Sequence, residues 1–208
     1  MPLFLNVPYA QKEQAKAAGA RWNPEVKKWY VSDRRNYHKC LAWIDGNTII
    51  CNQIYIVEGM HTCFRCQRPT RVVGFAFETF YEMDDDTMEY FDDEIHIGYI
   101  DSKLPEALAA ELQKRYNYFW GYSNTTKSYA YGNHCQNPAC GVLQGNWFVF
   151  DEVDTPFFID GPQSAGKLTL RRIALPDDIA VHASIGYGSE DRWIKARASI
   201  VDSDLTWA

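Results

Sequence analysis

Two pairs of cysteines carry the strongest chemical signal in this sequence. Cys63-x2-Cys66 lies in "GMHTCFRCQRP" (59–69) and Cys135-x4-Cys140 in "NHCQNPACGVLQG" (133–145). Each hook is short enough for both sulfurs to reach one ion from a tight turn. Four thiolates fill the tetrahedral shell that zinc prefers, so the expected cofactor is Zn. A catalytic zinc keeps an open position, and four cysteines leave none; the expected ion is a structural staple. His61 and His134 stand beside the hooks, either as neighbours of the site or in place of a cysteine. Cys40 and Cys51 read as small buried apolar groups. The six cysteines could instead form three disulfides in an exported protein, but no export signal is seen.

Other candidate chemistries are weaker. "GPQSAGKL" (161–168) has the G-x4-G-K spacing of a phosphate loop. Leu168 replaces the Ser/Thr that would meet magnesium, and "LTLRRIAL" alternates as a strand where a helix is required. A hairpin turn is expected there. The zinc deaminase pattern is missing both of its elements. No nucleophile–base pair stands out, and His182 reads as a packed residue, so the expectation is a protein that is not an enzyme.

Charge is unevenly spread. The chain of 208 residues carries −6 in total. Residues 1–45 carry +4, through Lys12, Lys16, Arg21, Lys27, Lys28, Arg34, Arg35 and Lys39 against four acids, and the remainder carries −10. Between Glu78 and Asp101 there are ten acids and no Lys or Arg. "DDDTMEYFDDE" lacks the glycine and spacing of a calcium loop. It reads either as a solubilising loop or as a docking surface, with Met83, Met88, Tyr90 and Phe91 as apolar anchors among the acids. The candidate contact residues are Glu82, Asp84, Asp85, Asp86, Glu89, Tyr90, Phe91, Asp92, Asp93 and Glu94.

The elements that must position these groups follow from patterning. "LFLNV" alternates as a strand, residues 10–18 form a helix stopped by Gly19, and "RWNPEVKKWYV" is two strands around Asn23-Pro24. "DRRNYHKCLAWI" predicts a helix capped by Asp33, with Tyr37, Cys40, Leu41 and Ile44 on one face. "RVVGFAFETF", "EIHIGYI", "NWFVF" and "DIAVHASI" predict strands, and "LPEALAAELQKRY" an amphipathic helix. "YFWGYSNTTKSYAYGNH" predicts a loop and a strand. "RWIKARASIV" reads as strand or helix. The two hooks, each leading into a strand, make residues 59–150 look like a zinc ribbon with a long insertion.

"LNVPYAQKEQAKAAGARWNPEVKKWYV" (5–31) resembles a small bacterial domain of unknown function. That domain opens LNVPY, runs through AK-x-x-GA-x-W-x-P and ends KKWYV. It is found with primase-like, topoisomerase-like and other mobile-element proteins. The resemblance implies a modular accessory unit rather than an activity. Trp22, Trp29 and Tyr30 read as core residues of this unit, and its cations as a solvated face or a phosphate-facing patch.

The expected fold class is α+β, with a small basic αβ module (1–47) and a zinc-ribbon-based, mainly antiparallel β domain (48–208). That domain carries an inserted helix and the acidic insertion 78–101. No apolar run is long enough for a membrane span, and the expected location is cytoplasmic. The expected function is protein–protein binding to a basic partner, in its sharpest form as an immunity-type inhibitor of a bacterial toxin such as a nuclease. The alternative is a nucleic-acid-associated accessory protein of a replication or mobile-element system, acting through the N-terminal basic segment.

Overall fold

The computed structural model describes residues 2–84 and 87–207. The N-terminal segment folds as β1 (Leu3–Leu5), a 3-10 turn (Tyr9–Gln11), α1 (Lys12–Ala17), β2 (Arg21–Asn23) and β3 (Lys28–Val31). Gly19 turns the chain after α1 at φ +96°, a conformation a side chain would strain. Asn23 closes the β2–β3 turn by accepting from the amides of Glu25 and Val26. Leu3, Leu5, Trp29 and Val31 alternate along β1 and β3 and are buried together with Ala15 and Ala20.

The helix expected after Asp33 is instead two 3-10 stretches, Arg34–Lys39 and Leu41–Trp43. Asp33 does cap the first, accepting from the Arg35 amide at 3.0 Å. The buried residues Tyr37, Cys40 and Trp43 recur every three positions. Three residues per turn keeps such a series in line, whereas an α-helix would rotate each by roughly 60° from the last.

The body of the protein is built on a long central strand, β4 (Thr48–Thr62). After it come β5 (Pro69–Phe77), β6 (Phe80–Asp84), β7 (Thr87–Phe91), β8 (His96–Ile100), α2 (Glu106–Tyr116), β9 (Tyr118–Ser123), β10 (Ser128–His134) and β11 (Leu143–Gln144). The C-terminal part holds α3 (Pro162–Ala165), β12 (Thr169–Ile185), α4 (Arg192–Arg197) and β13 (Ser199–Asp202). The class is α+β: mostly antiparallel sheet with a few helices, β1–β12 and β12–β13 being parallel.

Strands β4, β5, β8 and β12 form a ring in which each pairs with the next and β12 returns to β4. Gly98 sits where it closes, opposite Phe75 on one side and Ile185 on the other. A Cβ there would lie 2.1 Å from the Ser184 carbonyl oxygen, so no larger residue fits that approach. Both faces of β4 are covered, which is why its apolar residues run almost without a break. Ile54 and Ile56 enter a core with Leu108, Leu112 and Tyr116 of α2. Tyr55 and Val57 enter another with Val149, Leu170 and Ile194.

Two expected elements differ. "NWFVF" is a wide helical turn, Trp147–Asp151, not a strand; it buries Val149 and leaves Trp147 and Phe148 exposed. "GPQSAGKL" holds the one-turn helix α3 rather than a hairpin turn. Pro162 starts it, and Ser164 Oγ accepts from the Gly161 amide. "LTLRRIAL" and "DIAVHASI" join as one strand, β12, with an irregularity between Ala174 and Ile179 around Pro176. "RWIKARASIV" divides into α4 and β13.

The N-terminal segment rests on this body. Ile50 of β4 and Met83 of β6 complete its core. Asp178 of β12, its side chain 0% exposed, is held by Arg34 at 2.6 Å and by the Tyr37 hydroxyl at 2.5 Å. A buried carboxylate is costly unless paired in this way, so the contact fixes how the two parts meet.

Candidate metal centre and charged surfaces

The two hooks are the tips of two hairpins. The first joins β4 to β5, where Thr62 faces Pro69; the second joins β10 to β11, where His134 faces Leu143. They close alike. The Cys63 amide donates to the Arg68 carbonyl at 3.0 Å, and the Cys135 amide to the Val142 carbonyl at 2.9 Å. The residue after each second cysteine is left-handed: Gln67 at φ +56° and Gly141 at φ +56°. Nothing lies within 4 Å of a Cβ built on Gly141, so glycine there answers the backbone and not the space.

These turns bring four sulfurs together. Cys63 lies 3.8 Å from Cys140 and Cys66 lies 3.6 Å from Cys135. All four sulfurs fall within 4.8 Å of one another, a set able to hold one metal ion. Cys63 and Cys135 are buried, while Cys66 and Cys140 are half-exposed. Burial pushes against ionisation of Cys63, yet the amides of Cys66 and Arg65 and the nearby thiols draw it down to about 6. The Arg68 amide lowers Cys66 as well. Burial pushes Cys135 up to about 12. Gln144 adds a donor from outside, its Nε2 at 3.4 Å from the Cys63 sulfur.

The hairpins are tied to each other away from the sulfurs. Thr70 Oγ1 accepts from the Gln136 amide at 3.0 Å, and the Gln136 side chain accepts from the Arg71 amide at 3.2 Å. Asn133 is fully buried and makes a two-way bridge to Val73 of β5, with Oδ1 accepting at 2.7 Å and Nδ2 donating at 2.8 Å. Asn117, left-handed at the end of α2, donates to the Cys135 carbonyl. The set able to hold a metal among the described residues contains neither histidine. His134 instead stacks on Phe119, ring centroids 3.8 Å apart, and His61 has a buried, unbonded Nε2.

The acidic segment is a β-hairpin and not a loop. β6 pairs with β7, and β7 forms the outer edge of the sheet. Asp84, Glu89, Tyr90, Asp92 and Asp93 are exposed, while Glu82, Phe91 and Glu94 are half-buried. Asp85 and Asp86 lie outside the described residues. Glu82 stands directly opposite Glu89 and accepts from the Tyr187 hydroxyl at 2.5 Å. Phe91 stacks between Phe80 and Tyr187, and Tyr90 leans on Tyr81. The expected anchor Met83 is 1% exposed and Met88 packs on the N-terminal core, so neither is offered to a partner. They face inward because the alternation that exposes the acids of a paired strand buries the residues between them. Glu78, at the start of the segment, is bound to Lys195 and to the Tyr55 hydroxyl.

The eight basic residues of the N-terminal segment divide into three groups, of which Lys12 and Lys39 donate to the neutral groups Tyr9 Oη and Asn36 Oδ1. Lys16, Arg34 and Arg35 are paired with Glu13, Asp178 and Asp33. Arg21, Lys27 and Lys28 are exposed on β2, β3 and the turn between them. Exposed aromatic side chains that patterning did not single out meet at the first hook as well. Phe64 of the first hook and Phe148 lie 6.5 Å apart, beside the 62%-exposed Trp147. Trp147 and Phe148 were hidden by the assignment of their segment to a strand.

Residues 3–45 match the model of a family described as a domain of unknown function, DUF5710. A DNA primase TraC of Escherichia coli is 38% identical over 45 residues, covering 22% of this chain and 4% of the relative. A second DNA primase TraC of the same organism is 48% identical over 44 residues, 21% of this chain and 3% of the relative. No solved structure matches the chain. No helix among the described residues is long and apolar enough to cross a membrane. The stretches matched in the two primases are about as long as the family match of residues 3–45 and leave nearly all of each primase uncovered.

Proposed function

We propose that the protein is a non-catalytic, nucleic-acid-associated accessory factor of a replication or mobile-element system. In this reading residues 3–45 face the nucleic acid and a zinc-stapled body presents them. The observation that carries it is the similarity of a stretch of 44–45 residues, the length of the family match at 3–45, to DNA primases. The exposed cations Arg21, Lys27 and Lys28, without a carboxylate partner among the described residues, give that module a means of meeting phosphates.

The metal in this reading is zinc, and the paired hairpin tips form a zinc ribbon into which α2 and the acidic hairpin are inserted. Regular tetrahedral coordination with Zn–S bonds of ~2.3 Å separates the sulfurs by roughly 3.8 Å. The spacings of 3.6 and 3.8 Å fit that geometry. Zinc so held stabilises the fold and takes no part in a reaction.

Binding of the intact chain to plain DNA oligonucleotides tests the proposal. Affinity is expected to fall steeply between about 50 and 200 mM salt, as phosphate contacts require. The triple variant Arg21→Glu, Lys27→Glu, Lys28→Glu is expected to lose most of it. Absence of binding at the lower salt would refute the reading.

A second reading keeps the acidic hairpin as a docking surface for a basic protein. Glu82 directly faces Glu89, a like-charge pair that costs stability until a cation approaches. The narrower role as inhibitor of a nuclease toxin gains no support from the comparisons.

A further inference from the structure

The outer face of the N-terminal sheet narrows the kind of nucleic acid. Pairing places Phe4 of β1 beside Tyr30 of β3, and Tyr30 beside Arg21 of β2, in one row across three strands. Lys28 is two residues from Tyr30 and projects from the same face. Phe4 and Tyr30 are half-exposed and belong to none of the three apolar cores. Their rings meet edge-on at 6.3 Å. Arg21 and Lys28 flank them, exposed and without a carboxylate partner among the described residues. Apolar rings left out of a core and framed by free cations suit a ligand with both flat apolar faces and negative charge.

We infer that this face is a platform for single-stranded nucleic acid. Bases stack on Tyr30 and Phe4, while Arg21 and Lys28 hold neighbouring phosphates. Every base has a π-face, so such stacking needs little sequence preference. A duplex keeps those faces inside its own stack and is read by elements that enter a groove. A flat sheet face has no such projection. Three strands spaced ~4.8 Å apart span roughly 10 Å, room for about two bases. The inference rests on the nucleic-acid reading above and specifies its ligand.

Fluorescence anisotropy on the intact chain separates the two claims. The probes are a labelled oligothymidylate of about 15 nucleotides, within the usual site size, and a duplex of equal length. The single strand is expected to bind more tightly. Tyr30→Ser and Phe4→Ser should each weaken that binding roughly tenfold, with duplex affinity unchanged. Tyr30→Trp should retain it, which guards against reading misfolding as lost stacking; near-ultraviolet circular dichroism and bound metal verify the fold of each variant. Equal affinity for both probes, or folded Tyr30→Ser binding as the wild type does, would overturn the platform and leave phosphate binding intact. Failure to bind either probe would overturn both.

Discussion

At the scale of single residues, the four cysteines were legible because the information is local: two tight spacings and a glycine after the second. What the spacing left open was the fate of the nearby histidines, since stacking of His134 on Phe119 depends on a hairpin partner 15 residues away in the chain. Replacing Cys63 with Ser should reduce bound zinc below about half an equivalent per chain and lower the melting temperature, read by metal analysis and calorimetry. Glu58 supplies a pH dependence. Burial pushes its carboxyl up, but Arg171 and the Tyr116 hydroxyl outweigh this and hold it below its ordinary value of 4.5. A depressed carboxyl contributes stability above its unfolded pKa and loses it as pH falls through the folded one. Denaturant midpoints should therefore fall as pH drops below 4.5, and Glu58→Gln should flatten that part of the profile.

At the scale of elements, β5, β8, the two halves of β12 and helix α2 follow from period and composition, because tertiary contact merely confirms what alternation and the 3.6-residue repeat already favour, whereas the central strand β4, buried on both faces, has no alternation to mark it. The errors occurred where a different force decides. Asp33 to Trp43 has a helix cap and apolar positions, yet a three-residue spacing of the buried groups makes the tighter helix the better fit. "NWFVF" has strand composition, but only Val149 finds a core. The acidic run gave no sign of its hairpin, since pairing depends on β4 on one side. The bonds that join the small β9–β10–β11 sheet to the ring are visible only in three dimensions, the most buried being the Asn133 bridge to Val73. Asn133→Ala should cost about 2–4 kcal/mol in chemical denaturation, because it strands a buried amide and a buried carbonyl of β5.

At the scale of the whole molecule, the charge asymmetry of the sequence becomes spatial. Cations stand exposed on the N-terminal sheet, and the acids line the β6–β7 hairpin, whose Met83 and Met88 pack against the core of that same module. The buried Arg34–Tyr37–Asp178 cluster locks the first of these to the body, and the four-sulfur centre joins the hairpins of the second part. On this account the metal holds shape while the module of residues 3–45 makes contact. Photo-crosslinking tests that division most directly. A single strand carrying iodouracil is bound to the intact, zinc-loaded chain and irradiated, and the attached peptides are mapped by mass spectrometry. The account predicts crosslinks within residues 3–45, on Phe4 and Tyr30. Crosslinks confined to residues 48–207, or none under conditions of measurable binding to DNA, would contradict it.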